Sequence, residues 1–293
     1  MNKKERLKMA KRKKYLILDC ETATLPCADK IAHNAQEKQK LSISKPLIYD
    51  IGWVIMDRYG NIYDNQQYLV SEIFSSPSIF NTAYYREKRP LYIDMLSRGE
   101  ITLKPWAEIT DNLIKSMENI AGVGAYNSMF DFKKAIPYTE LYMNKMLSAD
   151  FYNWLDGQEK NMQYILNNPQ LKNEKKFDPY NFIFRDVSYP LFDIWGLACK
   201  SLYNNKRFKT MCNDNNLVTN SKKYFSTTAE TGYKFLTKNN NFVESHTALD
   251  DAKIESEILR KIFATKKKQC FENGIVYFPF RILGTVEEFT TTI

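Results

Sequence analysis

The sequence predicts a mixed α/β fold, a central β-sheet with helices on its faces. Three observations carry that expectation. Tyr15-Leu-Ile-Leu-Asp19 is a short apolar run ending in an acid, the pattern of a buried strand. Pro46 to Asp57 and Ile62 to Val70 read as two further strands, and Tyr59-Gly60-Asn61 between them supplies the turn of a hairpin. From Ala248 to about Thr265, Leu249, Ala252, Leu259 and Phe263 fall on one helical face, beside Ile254, Ile258 and Ile262.

The remaining elements follow in order. Residues 28–45 read as a long polar loop, and residues 78–98 and 105–119 as mainly helical. Ile120 to Tyr126 is a strand punctuated by Gly122 and Gly124. A helix is expected after Asp131 until Pro137 interrupts it. Residues 153–190 are polar, rich in Asn and Lys, and carry Pro169, Pro179 and Pro190, so they read as an insertion or lid. Leu191 to Leu197 is a further strand, and Gly274 to Phe280 suggests a last one. Strand, hairpin, helix, strand, helix, strand, helix is the order of a mixed sheet covered by helices. The expected organisation is a basic tail over 1–14, one domain over 15–267, and a C-terminal extension over 268–293 packed on that domain.

Composition narrows the setting. The 293 residues suffice for a sizeable core, with 44% hydrophobic and 26% charged residues. No apolar run approaches the ~18 residues of a membrane span, and the N-terminus lacks the apolar segment of a secretory signal. The five cysteines include no C-x-x-C pair, so neither a disulfide framework nor a zinc site of usual spacing is expected. A cytoplasmic location without membrane contact is the expectation. Residues 1–14 hold eight Lys or Arg against Glu5 alone, so +7 of the net +8 sits in the tail and about +1 elsewhere. Such a tail either attracts phosphate backbones by counterion release or is a solvated leader.

Four acids and a histidine stand where chemistry can use them. Asp19 and Glu21 end the first strand, and alternate residues of an extended chain face the same way. Alone, the pair fits two solvated acids beside a turn equally well. Asp131 follows the Gly-rich strand in Asn127-Ser-Met-Phe-Asp131, bracketed by Phe130 and Phe132. There it could cap a helix, or need a cation if buried. In Ser245-His-Thr-Ala-Leu-Asp-Asp-Ala252, Thr247 and Asp250 have the spacing of a capping box. That gives Asp250 a structural task and leaves Asp251 free, one turn beyond His246. Converging carboxylates repel one another, so their meeting makes sense around cations. Two divalent ions can activate water and neutralise charge in phosphodiester hydrolysis. A histidine can accept the proton.

Taken in order, Asp19-Cys-Glu21-Thr22, Asn127 with Phe130-Asp131, and His246 with four residues before Asp251-Ala252 resemble the DEDDh exonucleases, the DnaQ-like family, over residues 15–265. The resemblance implies an RNase H-like sheet whose first strand carries Asp19 and Glu21. It implies two divalent cations, Mg2+ or Mn2+, held by Asp19, Glu21, Asp131 and Asp251, with His246 as general base. It implies 3′→5′ release of nucleoside 5′-monophosphates, with Thr22, Ala23, Asn127 and Phe130 at the substrate. Single-stranded nucleic acid is the expected partner, DNA favoured over RNA. The alternatives are an exoribonuclease of the RNase T or oligoribonuclease type, and a non-catalytic nucleic-acid-binding scaffold. Tyr126, Phe130 and Phe132 are the best candidates for stacking on bases, with Tyr233 and Lys234 as further strand contacts. The long loop, the 153–190 insertion and the C-terminal extension depart from the family's compact form.

Overall fold

The computed structural model describes residues 12–24, 46–146, 180–265 and 278–291. The polar loop, the 153–179 part of the insertion and most of the basic tail lie outside the described residues.

Seven strands form one sheet in the order β4-β3-β2-β1-β5-β7-β6. Their ranges are β1 Lys14–Ala23, β2 Leu47–Asp57, β3 Ile62–Val70, β4 Thr102–Lys104, β5 Gly122–Ala125, β6 Asn181–Phe184 and β7 Val187–Asp193. The pairs β1/β2, β2/β3 and β6/β7 are antiparallel, whereas β1/β5, β5/β7 and β3/β4 are parallel. This is the mixed sheet that the RNase H-like expectation describes, with the first strand near its centre carrying Asp19 and Glu21. The helices are α1 Arg89–Ser97, α2 Trp106–Ser116, α3 Ile136–Met146, α4 Ile194–Ala198, α5 Lys206–Asp214, α6 Ala229–Thr237, α7 Ala248–Ala264 and α8 Val286–Thr291. Among the described residues no helix is long and apolar enough to cross a membrane.

Strand alternation divides the core in two. Leu16, Leu18 and Cys20 of β1, with Ile51, Trp53 and Ile55 of β2, join one apolar cluster that includes Trp106 and Ile109 of α2 and Ile136 of α3. Ile17, Val54 and Met56 point the other way and meet Ile258, Leu259 and Ile262 of α7. By the same parity Asp19 and Glu21 share the α7 face with Ile17, and Asp50 and Gly52 share it with Val54. The face that buries the longest helix is thus also the face that presents the acids.

The hairpin turn is built as its sequence suggests. Gly60 takes φ +85°, which only glycine adopts cheaply, and the Asp57 carboxylate accepts from the N–H groups of Tyr59 (2.8 Å) and Asn61 (3.1 Å). Arg12 donates to the same carboxylate at 2.9 Å. Together these donors hold Asp57 down at about 2, against the opposing effect of its burial.

Several expectations are corrected or refined. The 78–98 segment is mainly helical as expected, in separate pieces. A single turn ends at Phe80, and the next, Arg86–Lys88, leads into α1 at Arg89 with Pro90 in its first turn. Pro137 does not stop the chain. A π-helical turn, Asp131–Ala135, precedes α3, so Pro137 falls in the first turn of α3, where its missing N–H costs little. The strand expected over 191–197 is β7, which ends at Asp193 because that side chain accepts the Gly196 N–H at 3.2 Å and starts α4. Residues 181–190 of the expected insertion are sheet, β6 and the start of β7. At the C-terminus, Pro279–Leu283 is a 3-10 turn and not the end of a strand, with Leu283 buried beside Phe208 and Phe225. Residues 274–277 lie outside the described residues. Cys20, Cys199 and Cys212 are buried and free.

Candidate metal centre

The four predicted acids arrive on three elements. Asp19 and Glu21 lie in the second half of β1, which runs on to Ala23 and not only to Asp19, and its register with β2 shifts between Glu21 and Thr22 before the pairing resumes. Asp131 opens the π-helical turn after β5. The preceding turn is fixed by Asn127, in the left-handed conformation (φ 78°), and by buried Ser128, which accepts the Ala125 N–H at 2.8 Å and donates to the Phe192 carbonyl at 2.7 Å. Asp251 sits in the first turn of α7.

His246 is held just ahead of that helix at φ +50°, a conformation costly for a non-glycine residue. Its surroundings fix it there. The imidazole stacks on Tyr85 at 4.3 Å and 17°, Lys88 donates to the Ser245 carbonyl, and the Tyr92 hydroxyl donates to the His246 carbonyl at 3.5 Å. His246 Nδ1 lies 3.9 Å from oxygens of both Asp251 and Glu244.

The structure brings Glu21, His246 and Asp251 together, with one ligand atom from each within 4.8 Å of the others. Asp19 and Asp131 are not part of that group, but they lie near enough for the charge of Asp131 to act on Asp19 and that of Asp19 on Glu21. Burial, then the charge of Asp131, pushes the Asp19 carboxyl well up, while burial and Asp19 do the same to Glu21. Asp131 is raised by burial, and Asp251 by burial and Asp19 to about 9. His246 moves the other way, lowered by burial and by Lys88, which favours the neutral imidazole at pH 7.

Does this set fit a cation? Two buried oxygens, Asp131 Oδ1 and Asp251 Oδ1, have no hydrogen-bond partner. Buried carboxylate oxygens are ordinarily satisfied, so orphans facing other acids need a positive partner. Carboxylates with one imidazole suit hard divalent ions of the magnesium and manganese kind. The residues fit.

Not every predicted residue meets the cluster as expected. Thr22 is partly exposed, but the Ala23 side chain packs in the core. Phe130 is half-buried against the larger apolar cluster. Phe132 is fully buried edge-on to Phe182, so it cannot stack on a base. Tyr233 packs against Phe242, and Lys234 pairs with Glu230 at 2.6 Å within α6. The capping box is replaced: Thr247 caps no backbone N–H and instead donates to Asp250 at 3.2 Å. The Ala248 N–H is taken by Asp50, 3.0 Å away on β2.

Asp50, Glu255 and Glu244, the last beside His246, are acids near the site that sequence reasoning missed. Asp50 is fully buried, accepts from Gln67 and Tyr92 as well, and is pushed up to about 6 by burial. It ties β3, α1 and the start of α7 to β2. Glu255, one turn beyond Asp251, is 3% exposed and accepts the Tyr126 N–H at 3.0 Å, joining α7 to the turn that carries Asp131. The available signal was an acid interrupting an apolar pattern: Asp50 within Leu-Ile-Tyr-Asp-Ile, and Glu255 between Ile254 and Ile258.

The fold is α/β, and its candidate divalent-metal centre brings together two carboxylates, Glu21 and Asp251, and the imidazole of His246. No protein-family model matches the sequence, and no curated protein matches it significantly. Among solved structures, the chain is similar to S. pombe Pop2p in its Mg2+- and Mn2+-bound form, at 14% identity and TM-score 0.41, over 90% of this chain and 88% of that one. It is similar to the nuclease domain of 3′hExo, a DEDDh family member bound to rAMP, at 14% identity and TM-score 0.36, over 86% and 92%. A 3′-exonuclease described for 3′-end recognition of the histone mRNA stem-loop gives 11% identity and TM-score 0.36, over 86% and 80%.

Proposed function

We propose that the protein is a metal-dependent 3′→5′ exonuclease that shortens single-stranded nucleic acid. One observation carries the reading: Glu21 of β1 and the pair His246 and Asp251 at the start of α7, from two widely separated stretches of chain, place their ligand atoms within 4.8 Å of one another. The 3′→5′ direction rests on the resemblance of the three motifs to the DEDDh family.

Asp19, Glu21, Asp131 and Asp251 would hold two divalent cations. When bound, such ions supply charge neutralisation for the attacking and leaving oxygens. His246, neutral near pH 7, takes a proton from the attacking water, and Tyr85 fixes the imidazole plane by stacking. The new bond joins the water oxygen to phosphorus, and the bond from phosphorus to the 3′ oxygen breaks. The strand keeps that oxygen as a hydroxyl, and a nucleoside 5′-monophosphate leaves. By the resemblance, Thr22, Asn127 and Phe130, which flank the acids in sequence, would meet the terminal nucleotide, whereas Ala23 packs in the core.

The test is incubation of the full chain with 5′-labelled single strands of DNA and RNA, with Mg2+, Mn2+ or EDTA. The expected result is a stepwise ladder that needs metal and that Asp19→Asn abolishes. DNA is expected to be shortened faster, in line with the sequence expectation. Binding without shortening in either metal would leave the scaffold alternative standing.

A further inference from the structure

A cavity of about 700 Å³, in the range of small-ligand sites, is lined by Tyr126 and Asn127 of the turn that leads to Asp131. One wall is a row of aromatic rings. Tyr126 stacks on Trp195 (6.3 Å, 28°), and Trp195 on Phe280 (6.0 Å, 27°). The row is held rigidly: Tyr126 Oη donates to the Thr227 carbonyl at 2.5 Å and Trp195 Nε1 to Thr227 Oγ1 at 2.9 Å. Val218, Ala229 and hydroxyl and amide groups, among them Asn220 and Ser221, complete the lining, and among the described residues no charged side chain lines it. That lining offers a phosphate no cation to pair with. Flat rings beside neutral donors and acceptors suit a nucleobase, whose faces stack and whose edges hydrogen-bond.

Two hydrogen bonds join the cavity to the acid cluster. Tyr126 donates its N–H to Glu255, whose carboxyl is raised by burial and by the charges of Asp19 and Asp131. On the other wall Ala229 begins α6, and its neighbour Glu230 accepts the Glu244 N–H at 3.2 Å, two residues before His246. Asn127 also lines the cavity, four residues before Asp131.

We propose that this cavity binds a base of the substrate strand lying further from the 3′ end than the scissile bond, and so lengthens the grip on the strand. The proposal rests on the exonuclease reading. Phe280 comes from the 278–291 segment, so the C-terminal part of the chain would have a direct share in substrate binding.

The experiment measures binding in EDTA, where cleavage plays no part, using 5′-fluorescent single strands of two to twelve nucleotides. Wild type is expected to bind more tightly as the strand lengthens. Trp195→Ala and Phe280→Ala should each remove about ten- to one-hundred-fold of that gain, the worth of one stacked base. Trp195→Phe, which keeps a ring, should restore most of it. Circular dichroism melting identifies a variant that fails to fold, in which case Phe280→Ala alone decides. If the gain with length survives in folded Phe280→Ala and Trp195→Ala, or wild type shows no gain, the proposal is overturned. A wild type that binds with length but yields no ladder in metal overturns the exonuclease reading and leaves the pocket intact. A ladder with no effect of the substitutions does the reverse.

Discussion

Gly52→Ala is the sharpest mechanical test of how the site is held. Gly52 lies on β2 directly opposite Asp19, on the face that receives α7. A Cβ built there would stand 2.4 Å from the Leu249 nitrogen, 2.6 Å from Leu249 Cα and 2.7 Å from the Ala248 carbonyl carbon. All three are backbone atoms, so no side chain can rotate away. Ordinary contact begins at 3.4 Å. The start of α7 must therefore retreat by roughly 1 Å, or the sheet must bend by as much. Overpacking of this kind costs about 1–3 kcal/mol. At about 2–4 °C per kcal/mol for a chain of this size, Tm should fall by about 2–12 °C. Activity should suffer more. Leu249 lies between His246 and Asp251, and the bond from the Ala248 N–H to Asp50 must stretch as well. A displacement of about 1 Å at a reacting centre costs on the order of a hundredfold. The assay pairs a thermal melt with metal-dependent strand shortening well below Tm. Activity within about twofold of wild type, with Tm unmoved, would refute the claim that this close approach sets the position of α7.

Three further outcomes are expected. Asp250→Asn should keep most activity, because Asp250 is half exposed and bonded to Lys253 and Thr247, while Asp251→Asn should lose it in the same shortening assay. Glu255→Ala leaves the Tyr126 N–H without its partner and should lower stability by about 1–3 kcal/mol in urea unfolding, with Glu255→Gln recovering most of the loss. Asp57 has a folded pKa near 2, below its unfolded value of 3.8, so its contribution is present above pH 4 and disappears as pH falls towards 2. Asp57→Ala should therefore cost about 1–2 kcal/mol at pH 7, a figure discounted for solvent around the turn, and the gap to wild type should close in melts taken between pH 4 and pH 2.

Much of the site was legible because it is written in local patterns. Asp19 and Glu21 share a strand face by alternation, and the apolar stripe of α7 fixes which way Asp251 turns relative to the sheet. The hairpin was legible because Gly60 and Asp57 encode its turn within a few residues. What remained hidden depends on partners far apart in the chain. Asp50 reads as an interruption in a strand until Ala248, 198 positions away, is seen to donate to it. The Thr247-Asp250 box was the locally consistent solution, and it lost because a buried carboxylate from β2 reaches the helix start first. Pro137 looked like a stop because the π turn that accommodates it has no strong local signature.

By itself, then, the sequence determined which groups could carry chemistry, since acids on one strand face and a histidine one turn from another acid follow from backbone periodicity alone. Only the tertiary structure decided that these groups converge, that Glu255 and Asp50 brace them, and that Phe132 and Tyr233 belong to the packing. Periodicity acts over a few residues, whereas burial and charge are set by whatever the folded chain brings alongside.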